Sequence, residues 1–423
     1  IIQYFYNFVE NILFKNINLE YNSQFVTNYF ISIVLLAITN MTQLNNKTKR
    51  ILYPILFLIP AIFNSEIYLS LYVDAILAIM GVYLLAYYEY AKVQKIDKKF
   101  VFIDVLLATL FLVLIKSTGS AIIVFCLIYI FLDLVLMKNY KFNLQIITSI
   151  LISFFIGKKS WGHYIHKTNA DIIWKTEKIT FGNILNILNG KGLDYQYQTI
   201  NNFFKSLART QIGFFPYIIF LILTIGILTF IYLKKKDNKN LKILIFNILI
   251  IIIYPISLLI MYIFIFSPEE AVNLASFNRY LSTIIIFLII LNIILLANNE
   301  KILKYRKILI VLFLLLFFLN NRLTKLTIKK IKYIKKVKKE RQEIKSIPEE
   351  IKKNYNNKIY FVSNMNKDEG YYYWIFKYEA TPLKIQDFYY TDNENLFETL
   401  KNYDYLYVKD FDENFSKKIF WNI

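Results

Sequence analysis

The feature that most constrains this chain is its series of apolar runs. Residues 25–41, 69–88, 100–115, 121–137, 214–233, 243–266 and 281–296 each approach or exceed the roughly 18 residues that cross a bilayer. A chain in lipid must satisfy its backbone polar groups within the spanning element, so such runs fold as helices. Shorter runs at 51–63, 144–156 and 308–319 complete the series. The expected fold is a mainly α, polytopic helical membrane protein of about ten spans. Composition agrees: hydrophobic residues are 57% and charged residues 19%, against about 45–50% and 25% in soluble domains.

The net charge of +20 raises a nucleic-acid partner, and the placement of the charges argues against one. Lys47, Lys49 and Arg50, then Lys92, Lys95, Lys98 and Lys99, then Lys138 and Lys141, then KKKDNKNLK, fall in short clusters between apolar runs. That is the pattern of cytoplasmic loops. The alternation places residues 1–21, 64–68, 116–120, 157–213 and 267–280 together on the extracytoplasmic side. The expected location is the cell membrane, multi-pass, with membrane lipids as partners and no nucleic acid. The chain opens at Ile1 with no basic n-region, and a chain starting outside is odd for a complete protein. We therefore read it as N-terminally incomplete.

Three regions are expected: a transmembrane region 1–321 with a long outer excursion at 157–213, a basic linker 322–357, and a small α/β domain 358–423. Leu323, Leu326, Ile331, Ile334 and Val337 recur at helical spacing among lysines, as in an amphipathic helix lying on anionic headgroups. The alternation puts this tail outside; if 308–319 does not span, it is cytoplasmic. KIYFVS and DYLYV read as strands, with a middle strand near 383–389 and a helix at 394–403. No Gly-rich phosphate loop is present, so a nucleotide site is not expected.

The stretch SPEEAVNLASFNRYLST, 267–283, supplies the first candidate residues. Arg279, followed by Tyr280, stands at the mouth of an apolar run on the outer side. Its planar fork suits a phosphate group. Lys116 in KSTGS is on the same side, and the two together would form a two-cation phosphate clamp. The competing reading of Lys116 is a snorkelling lysine in a tight turn. Asp74 lies about one turn inside its run, and an ionisable residue in a span is a functional candidate by default; the competing reading is a structural hydrogen bond to another helix. Asp104 and Asp133 lie nearer the cytoplasmic ends, where interface anchoring is expected. His163 and His166, three apart, are a weak metal signal, and no metal site is expected. Trp161 and Trp174 suit interfacial anchoring better than sugar stacking. Glu269 and Glu270 read as loop charges. The single cysteine, Cys126, forms no intramolecular disulfide.

Several stretches resemble the GT-C superfamily of polytopic glycosyltransferases, in a bacterial branch related to aminoarabinose and mannosyl transferases. They are IIQYFYNF, SLYVDAIL with its preceding double-proline run, LVLIKSTGSA, NLASFNRYLST, and the terminal KIYFVS, YYYWIFKY and NYDYLYV. The resemblance implies transfer on the outer face from a sugar on a polyprenyl phosphate or pyrophosphate to a cell-envelope glycan or lipid acceptor. It implies a carboxylate base in the first outer loop, inversion at the sugar carbon, and cations stabilising the departing phosphate. In similar proteins IIQYFYNF follows a Tyr-Pro-Pro stretch that itself follows the acid, which places the expected acid upstream of Ile1. Glu10 and Glu20 are on the correct side but do not match its position. Two other classes use the same cations: a transporter or flippase of lipid-linked saccharide, and a glycan polymerase or ligase of another membrane fold.

Overall fold

The structure is a computed structural model describing residues 19–63, 67–68, 72–168, 179–212, 215–297, 339–342, 358–362, 371–380, 384–386 and 400–409. The chain divides into two compact units, Ile1–Leu323 and Thr324–Ile423. Each is described by itself.

The first unit is helical. Its elements are α1 (Leu19–Asn40), α2 (Asn46–Phe63), α3 (Asp74–Gln94), α4 (Lys98–Ile115), α5 (Gly119–Met137), α6 (Tyr140–Thr168), α7 (Phe181–Leu188) and α8 (Asp194–Arg209). A two-residue pair β1 (Gln211–Ile212) and β2 (Phe215–Pro216) leads into α9 (Tyr217–Lys235), α10 (Asn238–Phe264), α11 (Pro268–Val272) and α12 (Phe277–Ala297). Among the described residues, α3, α5, α6, α9, α10 and α12 are long and apolar enough to cross a membrane. Helix α4 is 18 residues long but carries Lys98, Lys99 and Asp104.

Helices α3 and α12 form the centre. In each, 72% of the most apolar window is buried, against 11% in α9. A helix apolar on all sides belongs inside a bundle or facing lipid, and these two cases are α3 with α12, and α9. Close packing at the centre uses Gly81 of α3. A Cβ there would stand 2.4 Å from Ile122 Cγ2 of α5 and 2.9 Å from the Phe287 ring of α12.

Some boundaries differ from the sequence expectation. Helix α2 runs unbroken through Pro54 and Pro60, although an interior proline removes a backbone hydrogen bond. Helix α6 does not stop at Ile156 but continues to Thr168, so the first part of the expected outer excursion is helical. Gly157 lies inside it, and a Cβ there would meet Val113 of α4 at 2.8 Å. The run 308–319, the basic stretch up to residue 338 and most of the expected helix 394–403 lie outside the described residues.

The end of the bundle that carries the basic loops is capped by its own charges. Asp97 accepts from the Lys99 amide at the start of α4, and Asp237 accepts from the Asn240 amide at the start of α10. Lys95, Lys138 and Lys236 end α3, α5 and α9 with left-handed φ angles of 51°, 56° and 49°. A lysine there pays a steric cost that glycine would not, but its charge is favourable against the helix C-terminus.

The second unit contains a parallel sheet of β3 (Lys358–Val362), β4 (Lys384–Gln386) and β5 (Tyr405–Val408), in the order β4-β3-β5, and a helix α13 (Tyr371–Ala380). Ile359 and Phe361 pack on Tyr373 and Phe376 on one face of β3. Tyr360 and Val362 pack towards Leu400, Tyr403 and Val408 on the other. A central strand buried on both faces is what a parallel sheet requires. Of the expected middle strand 383–389, residues 384–386 form β4 and the rest lie outside the described residues.

Candidate functional site

Asp74, Lys116 and Arg279 meet at the end of the bundle opposite the basic loops. Each is placed by a helix terminus: Asp74 is the first residue of α3, Lys116 ends α4, and Arg279 lies in the first turn of α12. Lys116 Nζ donates to Asp74 Oδ1 at 2.7 Å. Arg279 Nε lies 3.2 Å from Asp74 Oδ2. Asp74 is only 3% exposed. Burying a lone carboxylate costs roughly several kcal/mol, and the two cations and the α3 N-terminus offset that cost.

Aromatic rings orient the cations. The Arg279 guanidinium lies 4.2 Å from the Tyr72 ring centroid, and its Nη2 donates to the Tyr280 hydroxyl at 3.3 Å. Lys116 Nζ sits 5.1 Å from the centre of the Tyr280 ring. Tyr254 on α10 donates its hydroxyl to the Tyr280 carbonyl at 2.5 Å, which ties α12 to α10 at this level.

The stretch before Arg279 is a strained turn. Ser267 caps α11, its hydroxyl accepting from the Glu270 amide and donating to Glu270 Oε2. Leu274 and Ser276 then adopt left-handed φ angles of 50° and 62°, each at a cost of about 1–2 kcal/mol. The turn is held from outside. Tyr262 donates to the Ala275 carbonyl at 2.6 Å, and Asn202 of α8 donates to the Val272 carbonyl at 3.0 Å. Phe203 of α8 packs edge-on against Phe277, ring centres 5.3 Å apart. Glu269 and Glu270 remain in the cap and take no part in the charge cluster.

Beneath the charges lies a small cavity between α3, α5, α10 and α12. Asp74, Thr118, Tyr280 and Thr283 line it at the top, and Leu77, Ile122, Leu258 and Met261 supply apolar walls. Four buried polar atoms near this end make no hydrogen bond among the described residues: Asp74 Oδ2, Arg279 Nε, Thr118 Oγ1 and Ser120 Oγ. The first two are each other's ion-pair partners at 3.2 Å; buried polar groups are nearly always satisfied, so Thr118 Oγ1 and Ser120 Oγ are the atoms with unused bonding capacity.

No family model, no curated protein and no solved structure matches this chain.

The structure thus gathers four of the sequence candidates, Asp74, Lys116, Arg279 and Tyr280. Glu20 lies in α1 with its side chain outside the described residues. His163 and His166 are exposed on the last turns of α6. Among the described residues no group of three or more His, Cys, Asp or Glu side chains is placed to hold a metal. Trp161 stacks on Tyr164, and Trp174 lies outside the described residues.

Asp133 is a correction. It is not an interface anchor: it is 0% exposed and lies at the centre of a second charge cluster, at the basic end. Lys242 Nζ reaches Asp133 Oδ1 at 2.5 Å and Glu89 Oε1 at 2.6 Å. Lys92 Nζ pairs with Asp133 at 2.8 Å. Tyr88 donates to Asp133 Oδ2 at 2.7 Å, and Asn143 Nδ2 donates to the same atom at 3.2 Å. The cluster joins α3, α5, α6 and α10 with two acids and two cations. Asp104, half-buried, accepts from Tyr87. The sequence reading missed Glu89 and Lys242. The available signal was Lys242 standing four residues before Phe246 and eight before Ile250, on the face of α10 that is buried.

Proposed function

We propose that the chain is a membrane glycosyltransferase that moves a sugar from a polyprenyl-(pyro)phosphate carrier to an acceptor on the outer face of the cell membrane. The observation that carries this reading is the meeting of Lys116 and Arg279 on Asp74, at the end of the bundle opposite the basic loops. A lipid-linked phosphate needs cations for its oxygens, and two converge here. Arg279 is already oriented by Tyr72 and Tyr280, so little side-chain entropy is lost when it turns to a phosphate. As the bond between sugar and phosphate breaks, negative charge grows on the departing phosphate. Two cations already held at one place stabilise that charge without having to be gathered at the moment of reaction. No described residue is assigned as the base. The same reading takes 308–319 as a further span and 358–423 as an extracytoplasmic domain.

The experiment compares cells carrying the full-length wild type with cells carrying Arg279→Gln, by mass spectrometry of envelope glycans and of lipid-linked sugars. Loss of one sugar substituent with build-up of its outer-leaflet lipid-linked donor supports the transferase. Donor trapped on the inner leaflet would instead indicate a transporter. Unchanged glycans and donors would overturn both.

A further inference from the structure

We infer that Asp74 is the residue that selects a hydroxyl-bearing lipid phosphate over one without hydroxyls, by holding the place that the phosphate takes. The inference rests on the reading of Lys116 and Arg279 as a phosphate clamp, and it adds what the carboxylate between them does.

The argument is one of charge balance. Asp74 now supplies the oxygens that face both cations, Oδ1 at 2.7 Å from Lys116 Nζ and Oδ2 at 3.2 Å from Arg279 Nε. A phosphate seated on the clamp takes those two partners. Lys116 and Arg279 retain 28% and 20% side-chain exposure, so both can turn outward to a ligand. Asp74, with 4% side-chain exposure, cannot follow them into solvent. It is left as a buried carboxylate without partners at the edge of a span, a state that costs several kcal/mol, roughly. The ligand must therefore bring hydrogen-bond donors of its own. A sugar does so through its hydroxyls; an alkyl phosphodiester does not.

The surroundings favour this exchange. Asp74 Oδ2 has the Arg279 ion pair but no hydrogen bond, Thr118 Oγ1 has no hydrogen bond among the described residues, and both residues line the same cavity. One carboxylate oxygen that accepts and one hydroxyl that can donate or accept suit a polyol, whose hydroxyls do both. A site built around a hydrogen bond rejects the analogue that lacks it more strongly than an apolar site rejects an extra group.

The test uses full-length protein in nanodiscs and native mass spectrometry with two probes of equal charge. These are undecaprenyl hexosyl phosphate and undecaprenyl methyl phosphate, both monoanionic diesters. Wild type is expected to prefer the hexosyl diester by roughly tenfold or more. Asp74→Asn removes the carboxylate that competes for the cations, so the methyl diester binds more tightly and the preference falls towards one. Thr118→Val, outside the ion cluster, lowers the preference at least threefold while methyl-diester affinity stays within twofold; if Asp74→Asn does not fold, this variant decides. Equal binding of the two probes by wild type, or an undiminished preference in the variants, overturns the inference and leaves the clamp standing. Failure of wild type to bind either probe overturns the proposed function with it.

Discussion

Lys242 Nζ lies 2.5 Å from Asp133 Oδ1, a contact between α10 and α5 with both side chains sealed from solvent. The same ammonium touches Glu89 and sits 4.3 Å from the centre of the Tyr129 ring. A buried ion pair is weak evidence for net stability, yet breaking one is costly because a charge is left unpaired. The distinction makes the cluster testable.

Lys242→Met is expected to destabilise the full-length protein in detergent by about 3–5 kcal/mol, read as a lowered unfolding midpoint. Adding Asp133→Leu leaves Glu89 and Lys92 as a balanced pair and should recover at least half of the loss. A single variant as stable as wild type would show that the cluster is not closed as described.

Gly81→Ala places a methyl group 2.4 Å from Ile122 Cγ2. Overpacking of this kind costs about 1–3 kcal/mol. Ile122→Ala removes the obstructing atom, so the double variant should be more stable than the sum of the single changes predicts. Additive losses in thermal unfolding would contradict the close approach of α3 and α5.

Arg279→Lys keeps the charge but loses the planar stack on Tyr72 and the fork towards Tyr280. Under the proposed function, sugar transfer in cells should fall to an intermediate level. Arg279→Gln should lower it by roughly 100-fold or more, the scale of losing one donor to a developing oxyanion. Equal activity of the lysine variant and wild type would reduce the arginine to a point charge.

Cys126 is fully buried, so the wild-type background in thiol labelling should be low. A membrane-impermeant maleimide is expected to label Lys191→Cys on intact cells, and Lys236→Cys only after permeabilisation. The opposite pattern would invert the orientation read from the basic loops.

Much of the helical architecture was legible because burial of apolar runs dictates it. Asp74, Lys116 and Arg279 were legible as individuals, each by chemistry at a helix end. Their meeting was not, because Lys116 and Asp74 stand 42 residues apart and nothing local encodes which helix ends converge. Asp133 was misread, and Lys242 was passed over within the basic loop KKKDNKNLK, for the opposite reason. Their local setting, a charge near a cytoplasmic run end, matches interface anchoring, and only the packing of α3, α5, α6 and α10 turns it into burial. In the second unit the strands at 358–362 and 405–408 were legible from their apolar runs. Helix α13 was not, because YYYWIFKYEA is rich in aromatic residues that favour strands, and packing of Tyr373 and Phe376 on β3 overrides that preference.

Helix α3 is fastened by ionic contacts near both of its ends, to Lys116 and Arg279 at Asp74 and to Lys242 at Glu89. Those carboxylates stand fifteen residue steps, about 22 Å, apart along the helix, with Gly81 wedged against two neighbours in between. Such a rod has no freedom to slide, rotate or tilt unless charges part at one end. Of the partners from other helices, Lys116 and Arg279 keep 28% and 20% side-chain exposure and Lys242 keeps 1%, so the partners freest to turn are at the Asp74 end. The helix itself acts as a fixed post against which those side chains turn.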